Sequence, residues 1–271
     1  MKRILVGTDG SETATGGVRW AAVLADALDA EVVVATVLAP DSGGDRAPET
    51  DQRNDVPRRL DEEWTAPAHE LGSRLRTLVL QGDPRTALLE AATTEGADLL
   101  VLGSAGTGWF PALHLGHVAH AIAHHTTVPV VIVPGDHAMP VSGSIVVGID
   151  GSPGSTVAVR WVADVARALG SEVIAVHGHL RKGASEPSSE LDAQSATWAA
   201  PLQAAGVPTR VVIQDGWPAK VITDLQASEH PALIAVGSRG AGGFHDLRLG
   251  SVALQVLQHA RVPVAIVPQA S

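Results

Sequence analysis

Apolar positions along this chain fall into two kinds of block that alternate. Short continuous runs such as "EVVVATV" at 31–37 and "LLVLG" at 99–103 are typical of strands that are buried on both faces. The stretches between such runs, for example 13–29 and 84–96, carry apolar residues at helical spacing. The pattern therefore predicts strands and helices in alternation.

The first half of the chain is predicted to contain five strands, at 3–8, 31–37, 74–80, 97–103 and 129–134. Helices are predicted at 13–29, 84–96 and 116–126. A polar loop is expected at 40–56, followed by a weak helix at 57–72 that Pro67 interrupts. The second half follows the same order, which indicates an internal repeat.

Alignment of the chain with itself supports the repeat. Gly7, Asp9, Gly10 and Ser11 each have an identical partner 141 positions later, and later in the repeat the offset becomes 134. A pattern found twice at this spacing indicates two tandem domains rather than a solenoid. The boundary is expected in "PGDHAMPVSGS", which is rich in Pro, Gly and Ser, so we predict domains at 1–136 and 143–271.

Alternation of strands and helices predicts an α/β fold for each domain, a doubly wound, mainly parallel five-stranded sheet with helices on both faces. In such sheets a ligand binds beyond the carboxyl ends of the strands, where the strand order reverses. The turns after the first strand (Asp9, Asp150) and after the fourth strand (Gly103, Gly237) are expected at that edge. Segments far apart in sequence thereby become candidates for one pocket.

Composition narrows the class of protein. The net charge is −10 and no basic block exceeds two residues, which argues against a nucleic-acid surface. Cysteine is absent, which excludes disulfides, thiol catalysis and cysteine-ligated metal. No apolar run approaches the ~18 residues of a membrane span, and the first run is too short for a signal peptide. We therefore expect a soluble cytoplasmic protein.

Two glycine-rich stretches follow the fourth predicted strand of each copy, "GSAGTGWFPALHLGHV" at 103–118 and "GSRGAGGFHDLRLGSV" at 237–252. Glycine lets the backbone approach a ligand closely, and a helix N-terminus attracts anions. From the residues alone, two interpretations stay open: a phosphate-binding loop, or a flexible loop followed by a serine that caps the next helix. Neither a P-loop nor the dinucleotide-binding glycine pattern is present.

Both halves resemble universal stress protein domains over nearly their whole length, through "VGIDGS", "ALIAVGSRGAGGF" and "LRLGSVALQVLQHARVPVAIVP". The nucleotide-binding branch of that family has the pattern G-x-x-G, nine residues, then G-[ST]. The second copy matches it fully at Gly237, Gly240, Gly250 and Ser251. The resemblance implies a tandem member of the branch that binds ATP.

The resemblance also implies roles for individual residues. In the second copy ATP, with Mg²⁺, would place its phosphates on the motif, its ribose near Asp150 and its adenine near the backbone at Gly178, and Val252 would also belong to the site. Arg239 lies inside the glycine loop and could reach a phosphate. The corresponding residues of the first copy are Asp9, Val37, Gly103, Gly106, Gly116, His117 and Val118. Because His117 replaces the motif's serine, weaker binding or none is predicted there.

Several alternatives stay open at this point. Asp9 and Asp150 could simply form turns, because Asp favours such turns. His114, His117, His120, His124 and His125 crowd one segment, but no flanking carboxylate supports a metal site, so none is predicted. The six tryptophans are expected to pack in cores or between domains.

The function is expected to be regulatory, in a stress response, with ATP as a ligand rather than a substrate. No nucleophile or water-positioning residue is evident, so an enzyme is not predicted, although slow ATP hydrolysis is an alternative. A partner-binding module with degenerate pockets is another, and a homodimer is compatible with either. Other adenine nucleotides, including cyclic AMP, would share the adenine and ribose contacts.

Overall fold

The computed structural model of the chain describes residues 1–38, 50–105, 115–135, 143–180, 189–241 and 248–269. The chain divides into two compact units, Met1–Ala138 and Met139–Ser271. Each unit contains five described strands, and its helices follow the order that the sequence pattern predicts. No helix among the described residues is long and apolar enough to cross a membrane.

The first unit runs from a strand near its N-terminus to a fifth strand before the second unit. Its strands are β1 Arg3–Gly7, β2 Glu31–Leu38, β3 Leu75–Gln81, β4 Leu99–Gly103 and β5 Val130–Val133. Its α-helices are α1 Glu12–Leu28, α2 Thr50–Arg59, α3 Pro84–Thr94 and α4 His117–His125. A π-helical turn, Leu60–Trp64, and a 3₁₀ segment, Ala66–Arg74, connect α2 to β3.

The second unit repeats this plan. Its strands are β6 Ile145–Gly148, β7 Val173–His179, β8 Thr209–Asp215, β9 Leu233–Gly237 and β10 Val264–Val267. Its helices are α5 Pro153–Leu169, α6 Ser189–Ala204, α7 Pro218–Glu229 and α8 Ser251–His259.

Strand order confirms the predicted doubly wound fold. In the first unit the order is β3-β2-β1-β4-β5, and in the second it is β10-β9-β6-β7-β8. The paired neighbours within each unit are parallel, for example Ile4 opposite both Val32 and Leu99. The order reverses beside β1 and beside β6, so the carboxyl ends of β1 and β4, and of β6 and β9, form the two crevices where a ligand would bind.

The central strands carry the core of each unit. Ile4, Leu5, Leu99 and Leu100 have no exposed surface, and neither have Ile145 and Ile234 in the second unit. Continuous burial along parallel strands explains why these segments read as unbroken apolar runs.

Trp20 of α1 is 3% exposed, in agreement with its predicted place in a core.

One prediction in the first unit is wrong. The predicted loop 40–56 contains the first part of α2, from Thr50 onward, while 40–49 lies outside the described residues. The predicted weak helix at 57–72 is divided instead into the end of α2, the π-helical turn and the 3₁₀ segment. The Thr65 side chain explains part of the division, because its hydroxyl donates to the Leu60 and Asp61 carbonyls, each at 2.9 Å.

Candidate functional site

A cavity of about 350 Å³ lies in the second unit, at the carboxyl ends of β6, β7 and β9. Its volume is within the range of small-molecule sites, roughly 300–1,000 Å³. The residues that the sequence predicts as the second-copy site all line this cavity: Asp150, Gly178, Gly237, Arg239, Gly240, Gly250, Ser251 and Val252. Residues from four separate segments of the chain therefore meet at the expected place.

The turn after β6 is built around Asp150. The backbone N–H and the hydroxyl of Ser152 donate to Asp150 Oδ1, at 3.0 and 2.6 Å. Gly151 has φ 73°, and a Cβ there would lie 2.6 Å from the Trp198 ring, so only glycine fits. Asp150 is thus a turn-forming residue, as the simpler interpretation predicts.

Asp150 has a second structural task. Its other carboxylate oxygen, Oδ2, accepts from the backbone N–H of Ala241 at 2.9 Å. A Cβ on Gly240 would lie 2.6 Å from that same oxygen, so glycine is needed for the loop to come this close. The carboxylate therefore fastens the glycine loop to the turn after β6.

The end of β9 contacts the first turn of α5. A Cβ on Gly237 would lie 2.5 Å from the carbonyl carbon of Gly154, and a Cβ on Gly154 would overlap the Arg239 carbonyl oxygen. This close packing is a reason for glycine at Gly237 that is independent of any ligand. It also holds the glycine loop against the helix start.

Helix α8 begins at the cavity wall without a side-chain cap. Its N-cap is Gly250, whose N–H donates to the Ser238 carbonyl at 2.7 Å, and no side chain caps the helix. Ser251 is the first helical residue and lines the cavity together with Val252 and Ala253. The first N–H groups of a helix have no acceptor within it, so this terminus is suited to an anion.

Arg239 adds a cation to the same wall. It lines the cavity, and its Nε is buried with no hydrogen-bond partner among the described residues. A buried, unpaired N–H is costly unless a partner is supplied. An anionic group in the cavity would be such a partner.

The opposite end of the cavity is mostly apolar. Ile149, Val176 and Ile222 line it. His177 also lines it, with Nδ1 2.8 Å from the Ile149 carbonyl oxygen and its ring edge-on to Trp198 at 5.2 Å. This end fits a flat, weakly polar group.

Sequence reasoning missed three aromatic residues around this cavity. His177 and Trp217 line it, and Trp198 packs on Gly151 and His177. The repeat itself carried a signal for one of them, because Trp64 occupies the Trp198 position in the first unit and packs on Gly10.

The first unit repeats much of this backbone plan. Asp9 Oδ1 accepts from the Ser11 N–H at 3.0 Å. A Cβ on Gly103 would lie 2.7 Å from the backbone of α1. Gly116 is the N-cap of α4, and its N–H donates to the Ser104 carbonyl at 2.6 Å.

Other predicted residues of the first unit have these places. His117 and Val118 are the first two residues of α4, and Val37 lies near the end of β2. Gly106 lies outside the described residues.

Of the four histidines of α4, His124 is partly buried, and the other three are exposed. The rings of His120 and His124 are 4.6 Å apart, and His124 Nε2 is buried without a hydrogen-bond partner among the described residues. Burial, followed by the neighbouring His120 and His125, lowers the pKa of His124. The described part of the chain contains no group of three or more His, Cys, Asp or Glu side chains that could hold a metal ion. His114 lies outside it.

Comparisons with known proteins agree with this architecture. The model of the Universal stress protein family matches residues 1–134 and again 143–268. A universal stress protein of Mycolicibacterium smegmatis is 29% identical over 286 residues, which cover 97% of this chain and 96% of the relative.

Solved structures are also similar. A universal stress protein from Archaeoglobus fulgidus shares the fold with a TM-score of 0.76 and 22% identity, and 98% of each chain is covered. Another universal stress protein was solved in complex with cAMP. It is 28% identical and has a TM-score of 0.38, and the match covers 48% of this chain and 94% of the other. With its two family matches along one chain, the protein belongs to the universal stress protein family as a tandem, two-domain member.

Proposed function

We propose that this protein binds ATP in its second unit as a regulatory ligand in a stress response. The observation that carries the proposal is the pairing, within one cavity, of an anion-binding wall with an apolar end. The wall consists of the uncapped N-terminus of α8, the glycine loop and Arg239. A nucleotide has the same division between phosphates and base.

The phosphates would lie on the wall. The N–H groups of Ser251, Val252 and Ala253 start α8, where the helix dipole favours negative charge. The unpaired Nε of Arg239 would donate to a phosphate oxygen, and charged donors bind phosphate strongly. The Ser251 hydroxyl is free to donate because it does not cap the helix.

The nucleoside would lie between Asp150 and Gly178. The carboxylate of Asp150 already accepts from Ser152 and Ala241, so a ribose hydroxyl would share an oxygen that has remaining acceptor capacity. Gly178 lines the cavity with its backbone, because Pro218 fills the space that a Cβ would take, and the base would lie against this backbone of β7.

Magnesium would arrive with the ATP phosphates. Mg²⁺ keeps several waters and is commonly held by one or two carboxylates together with substrate phosphates. Asp150 is the carboxylate that lines the cavity among the described residues. We propose a regulatory rather than a catalytic role for the bound ATP.

Regulation requires that ATP bind one state of the protein better than another. The bond between Asp150 and Ala241 gives the glycine loop a defined position that a bound nucleotide would stabilise or replace. We place this function in the cytoplasm, where ATP is available, and we expect the first unit to bind ATP more weakly because His117 stands at the Ser251 position.

Calorimetric titration of ATP and Mg²⁺ into nucleotide-free protein tests the proposal, with Arg239→Ala as the site variant. Ala105 occupies the equivalent position of the first unit, so the fold accepts alanine there. Arg261→Ala removes the same charge from an exposed position and is the matched control. We expect saturable binding that weakens at least tenfold in Arg239→Ala only, because a charge-assisted bond contributes about 1.5–3 kcal/mol. Absence of binding in the intact, folded protein would overturn the proposal.

A further inference from the structure

Helices α3 and α7 begin in nearly the same way. Gly82 and Gly216 precede them with φ of 119° and 145°, and Pro84 and Pro218 are their first residues. The residue between glycine and proline differs, since it is Asp83 in the first unit and Trp217 in the second. The two units therefore offer a controlled comparison of one N-cap position.

The backbone at this position is the same in both units. Asp83 has φ −75° and ψ 125°, and Trp217 has φ −61° and ψ 126°. Asp83 uses this geometry to cap its helix and accepts from the N–H groups of Arg85 and Thr86, at 2.9 and 3.4 Å. Trp217 makes no such bond, so α7 has no side-chain cap. Helix stability alone would favour Asp, Asn, Ser or Thr at this site.

Core packing does not explain Trp217 either. It is 67% exposed, more than any other large apolar side chain among the described residues. Trp20, by comparison, is 3% exposed. Trp217 therefore neither caps its helix nor buries its apolar side chain. Positions that depart from local preferences in this way are expected at functional sites.

Trp217 lies at the mouth of the cavity, because it lines the cavity and is also exposed to solvent. Gly178 and Pro218 line the same end, and a Cβ on Gly178 would lie 2.7 Å from Pro218 Cα. The segment that carries the indole is thus packed tightly against β7. The anion-binding start of α8 belongs to the same cavity.

We propose that Trp217 is the residue that recognises the base of the bound nucleotide, with its indole stacked on a planar heteroaromatic ring. This inference rests on the proposed function, since it assigns the base end of the same site. Stacking on an aromatic side chain tolerates any base, because every base has a π-face. Trp217 would therefore select ligands that have an aromatic base over bare polyphosphates, without selecting among bases.

Three variants of Trp217 test the inference. Trp217→Ala removes the ring, and Trp217→Phe keeps a smaller one. Trp217→Asp copies Asp83 on a backbone that already has the capping geometry, so it should fold at least as well as the parent. ATP affinity is measured by calorimetry with Mg²⁺, and stability is measured by thermal unfolding.

We expect ATP to bind about 5- to 150-fold more weakly to Trp217→Ala and Trp217→Asp, which is the range that alanine substitution of a stacking residue gives. Trp217→Phe should recover part of the loss. Tripolyphosphate, which has no base, should bind with the same affinity to the parent and to Trp217→Asp. Competition with ATP measures this affinity in each protein. ATP should also quench tryptophan fluorescence in the parent, and this quenching should be much reduced in Trp217→Phe.

The outcomes separate this inference from the proposed function. If the parent binds ATP and Trp217→Asp binds it within twofold, the stacking role is overturned while the ATP site stands. If Trp217→Asp and Trp217→Ala both unfold at much lower temperature, Trp217 is a structural residue and the inference is also wrong. Failure of the parent to bind ATP would overturn the proposed function, and the assignment of Trp217 would fall with it.

Discussion

The two units of this protein share a backbone plan but differ where the first turn of a helix meets the glycine loop. In the first unit Thr13 donates its hydroxyl to the Ala105 carbonyl. In the second unit Gly154 and Arg239 occupy these positions, and the Arg239 carbonyl fills the space that a Cβ on Gly154 would take. The first unit thus joins its loop to the helix through a side chain, and the second does so through direct backbone packing.

The same contrast recurs at the starts of α3 and α7, where Asp83 caps α3 and Trp217 leaves α7 uncapped. At both places the first unit satisfies its polar groups internally. The second unit leaves the Arg239 Nε unpaired and the Trp217 side chain exposed beside a cavity. The proposed function accounts for this difference, because a nucleotide in the cavity would supply a partner for the Arg239 Nε and a ring for Trp217 to contact.

The largest effect is expected when the second unit is given the first unit's threonine. In Gly154→Thr the new side chain would overlap the Arg239 carbonyl, which is backbone and cannot move without shifting the glycine loop. We expect a loss of about 1–3 kcal/mol in the free energy of unfolding, the usual range for overpacking. Urea denaturation measures the loss, and calorimetry should show that ATP binding is lost as well.

The reciprocal change, Thr13→Gly, is the control for Gly154→Thr. It removes one hydrogen bond without an overlap, so its effect on ATP binding should be small. Equal ATP binding in Gly154→Thr and in the parent would contradict the packing described for α5 and the glycine loop.

An intermediate effect is expected at the N-cap of α3. Asp83→Trp removes a cap that accepts from Arg85 and Thr86, and loss of such a cap costs about 0.5–2 kcal/mol. The ion pair between Asp83 and Arg85 is exposed and contributes little to the free energy of unfolding. The thermal midpoint should fall in Asp83→Trp and should stay level or rise in Trp217→Asp. A rise in Asp83→Trp would show that the two helix starts are not equivalent.

The smallest effect concerns the dependence of stability on pH. Because burial and the neighbouring histidines lower the pKa of His124 in the folded chain, the unfolded chain takes up this proton first as the pH falls below about 6.5. The free energy of unfolding should therefore be highest, as far as His124 is concerned, above that pH. It should decrease as the pH falls below about 6.5, until the pH passes the lowered pKa. In His124→Gln, which copies Gln258 of the second unit, this decrease should be smaller. Thermal midpoints between about pH 7 and 5 measure it, and identical profiles would contradict the account.

Much of the fold was predictable because buried parallel strands leave continuous apolar runs and the chain repeats them. That the second-copy residues line one cavity was predictable, because the resemblance to universal stress protein domains selects Gly237, Gly240 and Gly250, and the carboxyl ends of parallel strands meet at one edge. The division of 57–72 was not, because it depends on hydrogen bonds that the Thr65 side chain makes to two carbonyls.

The place of Trp217 could not be predicted either. A tryptophan in an unaligned sequence is expected in a core, and only its exposure in the fold shows otherwise. Comparison with Asp83 in the repeat would have raised the question, since the two residues stand between matching glycines and prolines.

We propose that one nucleotide binds in the cavity of the second unit. Equilibrium dialysis of ATP and Mg²⁺ against the nucleotide-free chain, in parallel with Gly240→Trp, tests it most directly. A side chain at Gly240 would meet Asp150 Oδ2, so the variant should lose the loop position that the cavity requires. We expect one tightly bound ATP per parent chain and none at the same concentration in Gly240→Trp. No ATP on the folded parent, or undiminished ATP on the variant, would contradict it.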